Sequence, residues 1–167
     1  DLPVTASGDE PDDRYRRAAR TLAGWRSDGT LRKDPHPSVY VYEQTYRVPC
    51  TEVERTLHGV FGRLLLDTYG PGAGVLPHER VTPKASTDRL DLTRATKANL
   101  SPVWGLSLAS GLTALLAEPG EPLSSVTVDG VEHVIERVSD PARVEAIAAL
   151  IATDDVLIAD GHHRYGI

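Results

Sequence analysis

Apolar positions along the chain fall first at helical and then at strand spacing. Tyr15, Ala18, Ala19, Leu22, Ala23 and Trp25 recur behind Asp12 and Asp13 and predict an amphipathic helix that stops near Gly29. Val39-Tyr40-Val41-Tyr42, β-branched and aromatic, runs on through Gln44-Thr45-Tyr46-Arg47-Val48 as one long strand. Residues 51–56 read as a polar connection and 57–69 as a second strand, paired with the first because neighbours joined by a short link usually pair. Gly70-Pro71-Gly72-Ala73-Gly74 stops that strand and opens a loop from Val75 to Lys84. Ser86 or Thr87 then caps a helix carrying Leu90, Leu92, Ala95 and Leu100, and Pro102 forces a break before a buried strand over 103–108. A short helix over 111–117 ends at Pro119-Gly120. Residues 125–128 and 133–138 flank Asp129-Gly130, whose positive φ suits a tight hairpin. Asp140-Pro141 starts a strong helix over 142–152, with proline at its first position, and 156–159 is a short apolar strand.

Hairpins come first and a β-after-α unit last, a pattern that predicts an α+β (mixed α/β) fold with a mixed sheet and flanking helices. The 167 residues fit one domain. With no methionine anywhere, and a strand end and helix start as its last residues, the chain reads as a fragment of a longer protein. With 18 Lys+Arg against 24 Asp+Glu the net charge is −6, which argues against a nucleic-acid coat, since that needs clustered positive charge. A lone Cys50 excludes an intramolecular disulfide framework and a thiolate zinc cage. No stretch approaches the ~18 consecutive apolar residues of a membrane span, and the first thirteen residues lack a signal layout, so cytoplasm is the default compartment.

Reactive side chains are densest at the C-terminal edge, in Asp160, His162, His163 and Arg164. A strand feeding through Gly161 into a helix leaves unpartnered N–H groups and a positive dipole end for an anion. Arg164 beside it can grip a phosphate or carboxylate with parallel hydrogen bonds, and Gly161 lets the backbone approach a ligand. Asp160 would hold Mg²⁺, orient a histidine, or simply cap the helix. A second cluster, His78-Glu79-Arg80 followed by Lys84, Asp88 and Arg89, lies in the Gly/Pro-bounded loop, where His78 or Glu79 can serve as general base. Tyr40, Tyr42 and Tyr46 share one strand face and read as packing, Trp25 and Trp104 as core, and Cys50, His36, His58 and His133 as structural. Asn99-Leu100-Ser101 matches a glycosylation acceptor, but nothing indicates secretion.

Three stretches in order resemble the uncharacterised DUF1015 family: Val75-Leu76-Pro77-His78-Glu79-Arg80, Arg94-Ala95-Thr96-Lys97-Ala98-Asn99-Leu100-Ser101-Pro102, and Ile158-Ala159-Asp160-Gly161-His162-His163-Arg164-Tyr165. Tyr40-Val41-Tyr42-Glu43-Gln44 is similar to the family's early strand. The resemblance runs from about Tyr15 to the end. Ala85, Ser86 and Thr87 separate Pro83-Lys84 from Asp88-Arg89, where the family places these pairs almost together, so its loop residues transfer to His78, Glu79, Arg80, Asp88 and Arg89 rather than to Lys84. Asp160, Gly161, His163 and Arg164 also resemble the turn of ParB/sulfiredoxin-like proteins, which implies a nucleotide-phosphate site.

These readings converge on an enzyme, or the remnant of one, that handles a phosphorylated small molecule or nucleotide, with ATP or ADP and Mg²⁺ as implied cofactors. Gly161, Arg164, Arg80 and Arg89 would hold phosphate, Asp160 the metal, and His78, Glu79, Asp160, His162 and His163 would share the chemistry. One alternative is a metal-dependent hydrolase using Asp160, His162, His163 and His78, although adjacent helical histidines point about 100° apart. Another is a ParB-like nucleic-acid-associated or regulatory binding module, which the acidic charge disfavours.

Overall fold

The computed structural model describes residues 13–67, 74–79 and 83–167. Along the chain run α1 (Asp13–Ser27), β1 (Val39–Arg47), β2 (Glu54–Phe61), β3 (Val75–Leu76), α2 (Pro83–Thr96), β4 (Trp104–Ser107), α3 (Leu112–Leu116), β5 (Glu121–Val128), β6 (Val131–Val138), α4 (Pro141–Ile151), β7 (Val156–Asp160) and α5 (His162–Tyr165). The fold is mixed α+β. A four-stranded antiparallel sheet has the order β2-β1-β6-β5, and a three-stranded sheet has the order β3-β7-β4. Among the described residues no helix is long and apolar enough to cross a membrane.

The chain divides into two compact units, one drawn from 1–33, 77–105 and 158–167, the other from 34–76 and 106–157. The second is organised by strand alternation. Val39 and Val41 share a face of β1, with Val138 opposite Val39 and Val60 opposite Val41. Val41, Leu116, Val138 and Ile147 form the core there, with Leu112, Leu115, Val144 and Ile151 of α3 and α4 packed around it. The opposite face of β1 carries the tyrosines: Tyr42 bonds His133 Nδ1 at 2.6 Å and meets Phe61 edge-on, and the Tyr40 hydroxyl donates to Asp34 at 2.5 Å. The expected hairpin closes on Asp129 (φ 52°) and Gly130 (φ 78°), both positive as a primed turn requires. Asp140 caps α4 by accepting the Arg143 N–H at 2.8 Å.

In the first unit, Arg14 and the Tyr15 hydroxyl both donate to Asp88, at 2.7 and 2.8 Å, and so tie α1 to α2. Burial, and then that carboxylate, raise the Tyr15 pKa. Asp88, expected near the site, is thereby a structural clasp.

Four expectations are corrected. The second strand spans Glu54–Phe61 rather than 57–69, because pairing with β1 reaches back through polar residues to Glu54↔Arg47; residues 68–69 lie outside the described set. The second helix begins at Pro83, which suits a first turn, so Ser86 and Thr87 lie inside it rather than capping it. Leu100 falls beyond that helix and is exposed. Trp25 and Trp104 are not core: they are 47% and 57% exposed. Tyr15 and Leu22, two turns apart, make the buried stripe of α1, and Trp25 follows in its last turn. The strand holding Trp104 is only four residues long and mostly exposed, although its composition is that of a buried strand.

Candidate functional site

β3 and β7 run parallel, with Val75 opposite Val156 and Leu76 opposite Leu157. Parallel partners leave a sheet in the same direction. The turn at Pro77-His78-Glu79 therefore emerges beside the carboxyl end of β7. Ile158 is buried and anchors that end, and Gly161 then turns the chain into α5 with φ 97°. Gly161 O closes this turn by accepting from the N–H groups of Arg164 and Tyr165.

The histidine rings of the two segments meet. The centroids of His78 and His162 are 4.4 Å apart and perpendicular, and the His78 N–H points at His162 Nε2 over 3.3 Å. His162 Nδ1 lies 3.1 Å from Glu79 Oε1. One ligand-type atom from each of His78, Glu79 and His162 falls within 4.8 Å of the others. His162 is buried, whereas His78 and Glu79 are exposed, so the cluster has a closed floor and an open top. His78 Nδ1 lies 2.7 Å from the Ile158 carbonyl oxygen. A carbonyl only accepts, so the proton is on Nδ1, and Nε2 of the neutral ring carries the lone pair.

Arg164 turns the other way. Its Nη2 donates to Asp160 Oδ2 at 2.6 Å and its Nη1 to Ser101 Oγ at 2.5 Å. The guanidinium lies against Gly161, where a Cβ would sit 2.8 Å from Nη2. A side chain at Gly161 would displace it. The Asp160 side chain is 71% exposed, so this pair is of the surface kind, worth about 0.2–1 kcal/mol.

The structure thus joins His78 and Glu79 to His162, and separately joins Asp160 to Arg164. Asp160 and His163 are not in the three-residue cluster: Asp160 ends β7 and pairs with Arg164, and His163 points about 100° away from His162 on α5. His163 is partly buried on α5 and makes interactions of its own. Arg89 is exposed on α2. Arg80 lies outside the described residues, as does the side chain of Lys84. Two participants carry no reactive-residue signal in the sequence. The Ile158 carbonyl is backbone. Ser101 sits within the Asn99-Leu100-Ser101-Pro102 stretch, and that position in a motif is its only sequence signal.

Comparison with curated proteins and with solved structures finds no match. A family model described as a protein of unknown function (DUF1015) matches residues 1–167. It spans all three stretches that build the cluster and its guanidinium neighbour, and the chain belongs to the DUF1015 family.

Proposed function

We propose that the chain binds a phosphorylated small molecule or nucleotide at the junction of β7 and α5 and transfers or hydrolyses a phosphoryl group there. The observation that carries this reading is the meeting of His78 and Glu79 with His162 at the start of α5, the same short helix whose Arg164 is held on another side by Asp160 and Ser101. Phosphoryl transfer needs charge neutralisation and a positioned proton acceptor more than covalent chemistry.

The residues divide those tasks. Arg164 supplies a planar set of donors, held in place by Asp160 and Ser101, that a phosphate recruits by competing with Asp160. Asp160 is therefore a positioning residue. The exposed His78 ring, its tautomer fixed by the Ile158 carbonyl, presents Nε2 as the base. It takes the proton of an incoming hydroxyl or water as that oxygen bonds to phosphorus and the bond to the leaving oxygen breaks. Mg²⁺ carried with ATP or ADP would neutralise the phosphate oxygens. The distant likeness of Asp160, Gly161, His163 and Arg164 to the ParB/sulfiredoxin-like turn supports the same assignment.

The test is a thermal-shift and ³¹P NMR series on the 167-residue chain with ATP, ADP and phosphoserine, each with and without Mg²⁺. Ligand at a hundred times its Kd stabilises a folded chain by about 2.7 kcal/mol. The expected result is such a shift with at least one ligand, lost in Arg164→Ala. No shift for any ligand, or one that Arg164→Ala leaves intact, refutes the assignment.

A further inference from the structure

The geometry points to a single-ion transition-metal site at the same cluster, with His78, Glu79 and His162 as ligands and zinc as the ion this donor set suits. Two imidazole nitrogens and one carboxylate oxygen form a three-ligand set of the kind that leaves the fourth position of zinc open. Donor atoms on a tetrahedral ion at ~2.1 Å lie about 3.4 Å from one another. Here the Nδ1–Oε1 pair is at 3.1 Å, and one ligand atom from each of the three residues lies within 4.8 Å of the others, so admitting an ion requires only shifts of about an ångström, the first pair opening slightly and the wider ones closing.

His162 supplies an independent sign of a missing partner. Its side chain is 1% exposed, and Nδ1 is buried with no aligned hydrogen bond even though Glu79 is near. A neutral imidazole has one N–H and one lone pair. With the proton on Nδ1, that proton has no aligned acceptor; with the proton on Nε2, it confronts the N–H of His78. An ion on Nδ1 engages the buried lone pair and draws the Glu79 carboxylate into the same sphere. The long Nε2 contact is the one that yields.

His78 already has the orientation of a ligand. Histidines that bind metals generally donate their second ring N–H to a carbonyl or carboxylate, as Nδ1 does here to Ile158. The exposed His78 and Glu79 leave the remaining coordination position facing solvent, as a site that binds water or a substrate oxygen requires. This inference rests on the phosphoryl reading and deepens it: with His78 Nε2 on the ion, that nitrogen would no longer accept the proton, and the ion would instead acidify the attacking water, whose proton would pass to solvent. Metal binding itself needs no phosphate.

Zinc is titrated into the chelator-treated 167-residue chain in phosphate-free buffer, read by calorimetry and by competition with a chromogenic chelator. The expected result is one Zn²⁺ per chain, with affinity at least about tenfold weaker in His78→Ala and in Glu79→Gln. The control His36→Ala, at an exposed histidine outside the cluster, leaves it unchanged. Cobalt-loaded chain shows the visible bands of a four-coordinate ion, lost in His78→Ala. His78 and Glu79 are exposed, so neither variant threatens folding. No zinc binding, or binding that both variants leave unchanged, overturns the site. Failure of the phosphoryl reading looks different: no phosphate-dependent response with or without zinc, and an unchanged zinc affinity.

Discussion

Replacing Gly161 by alanine separates two demands that the structure makes of one position. The first is conformational: φ is 97°, a region that L side chains rarely adopt, and holding a non-glycine residue there costs about 1–3 kcal/mol. The second is steric. A Cβ would lie 2.8, 3.0 and 3.1 Å from Nη2, Nε and Cζ of Arg164. All three are the far end of a flexible side chain, so the guanidinium swings away and gives up Asp160 and Ser101 at about 0.2–1 kcal/mol. Gly161→Ala should therefore lose roughly 1–4 kcal/mol in urea unfolding. Gly161→Asn recovers part of the loss, because asparagine tolerates positive φ, but it keeps the clash. Combining Gly161→Ala with Arg164→Ala removes the clash and keeps the strain, so the double variant is more stable than the sum of the singles predicts. The Arg164 Nε–H resonance, shifted in both Gly161 variants, reports the displacement directly. Stability within about 0.5 kcal/mol of wild type, or an unmoved Arg164 resonance, refutes the argument.

Ile147→Ala empties a position that is 1% exposed in the core of α4 and should cost about 2–5 kcal/mol in urea unfolding, whereas Leu65→Ala, at 88% exposure, should stay within about 0.5 kcal/mol. Asp140→Ala removes the cap on the Arg143 N–H and should cost about 1 kcal/mol, with little of it restored by Asp140→Leu. The Tyr40 hydroxyl, helped by Arg137, holds the Asp34 carboxyl below its usual range, and Asp34 in turn pushes the Tyr40 hydroxyl up. The Asp34 contribution is present above the ordinary carboxylate pKa of ~3.9 and is lost as pH falls through the depressed value; that of Tyr40 is present below ~10 and is lost as pH rises through the raised one. Tyr40→Phe should thus raise the midpoint of acid unfolding followed by circular dichroism, and an unchanged midpoint would show that the pair does not stabilise the fold.

The sequence made legible whatever a local signal specifies. Asp129-Gly130 fixes its turn through two backbone angles, Asp140-Pro141 marks a helix start, and the aromatic run at Val39 marks a strand. Burial was less legible, since an apolar strand such as β4 has the same composition whether or not another layer covers it. The cluster was half legible. His78, Glu79 and His162 stand out by chemical type, but adjacency in sequence groups His162 with Asp160, His163 and Arg164. A helix turns about 100° per residue, so His162 and Arg164 diverge by about 200°. One reaches His78 and Glu79, and the other folds back on Asp160 and across to Ser101.

The contact between the His78 N–H and the His162 ring links positions 84 apart along the chain. By the logarithmic cost of closing a flexible loop, joining two such positions in an unfolded chain requires about 4 kcal/mol of entropy before any compensating contact forms. A ribosome emitting this polypeptide releases the first histidine long before the second exists. The hairpins and α4, by contrast, can settle from neighbouring residues alone. Long-range pairings of this type slow folding. A refolding experiment that follows the histidine rings should therefore register their meeting after the two hairpins have formed, on the slower timescale on which β1 also finds β6, and whatever chemistry the rings perform would switch on only as maturation ends.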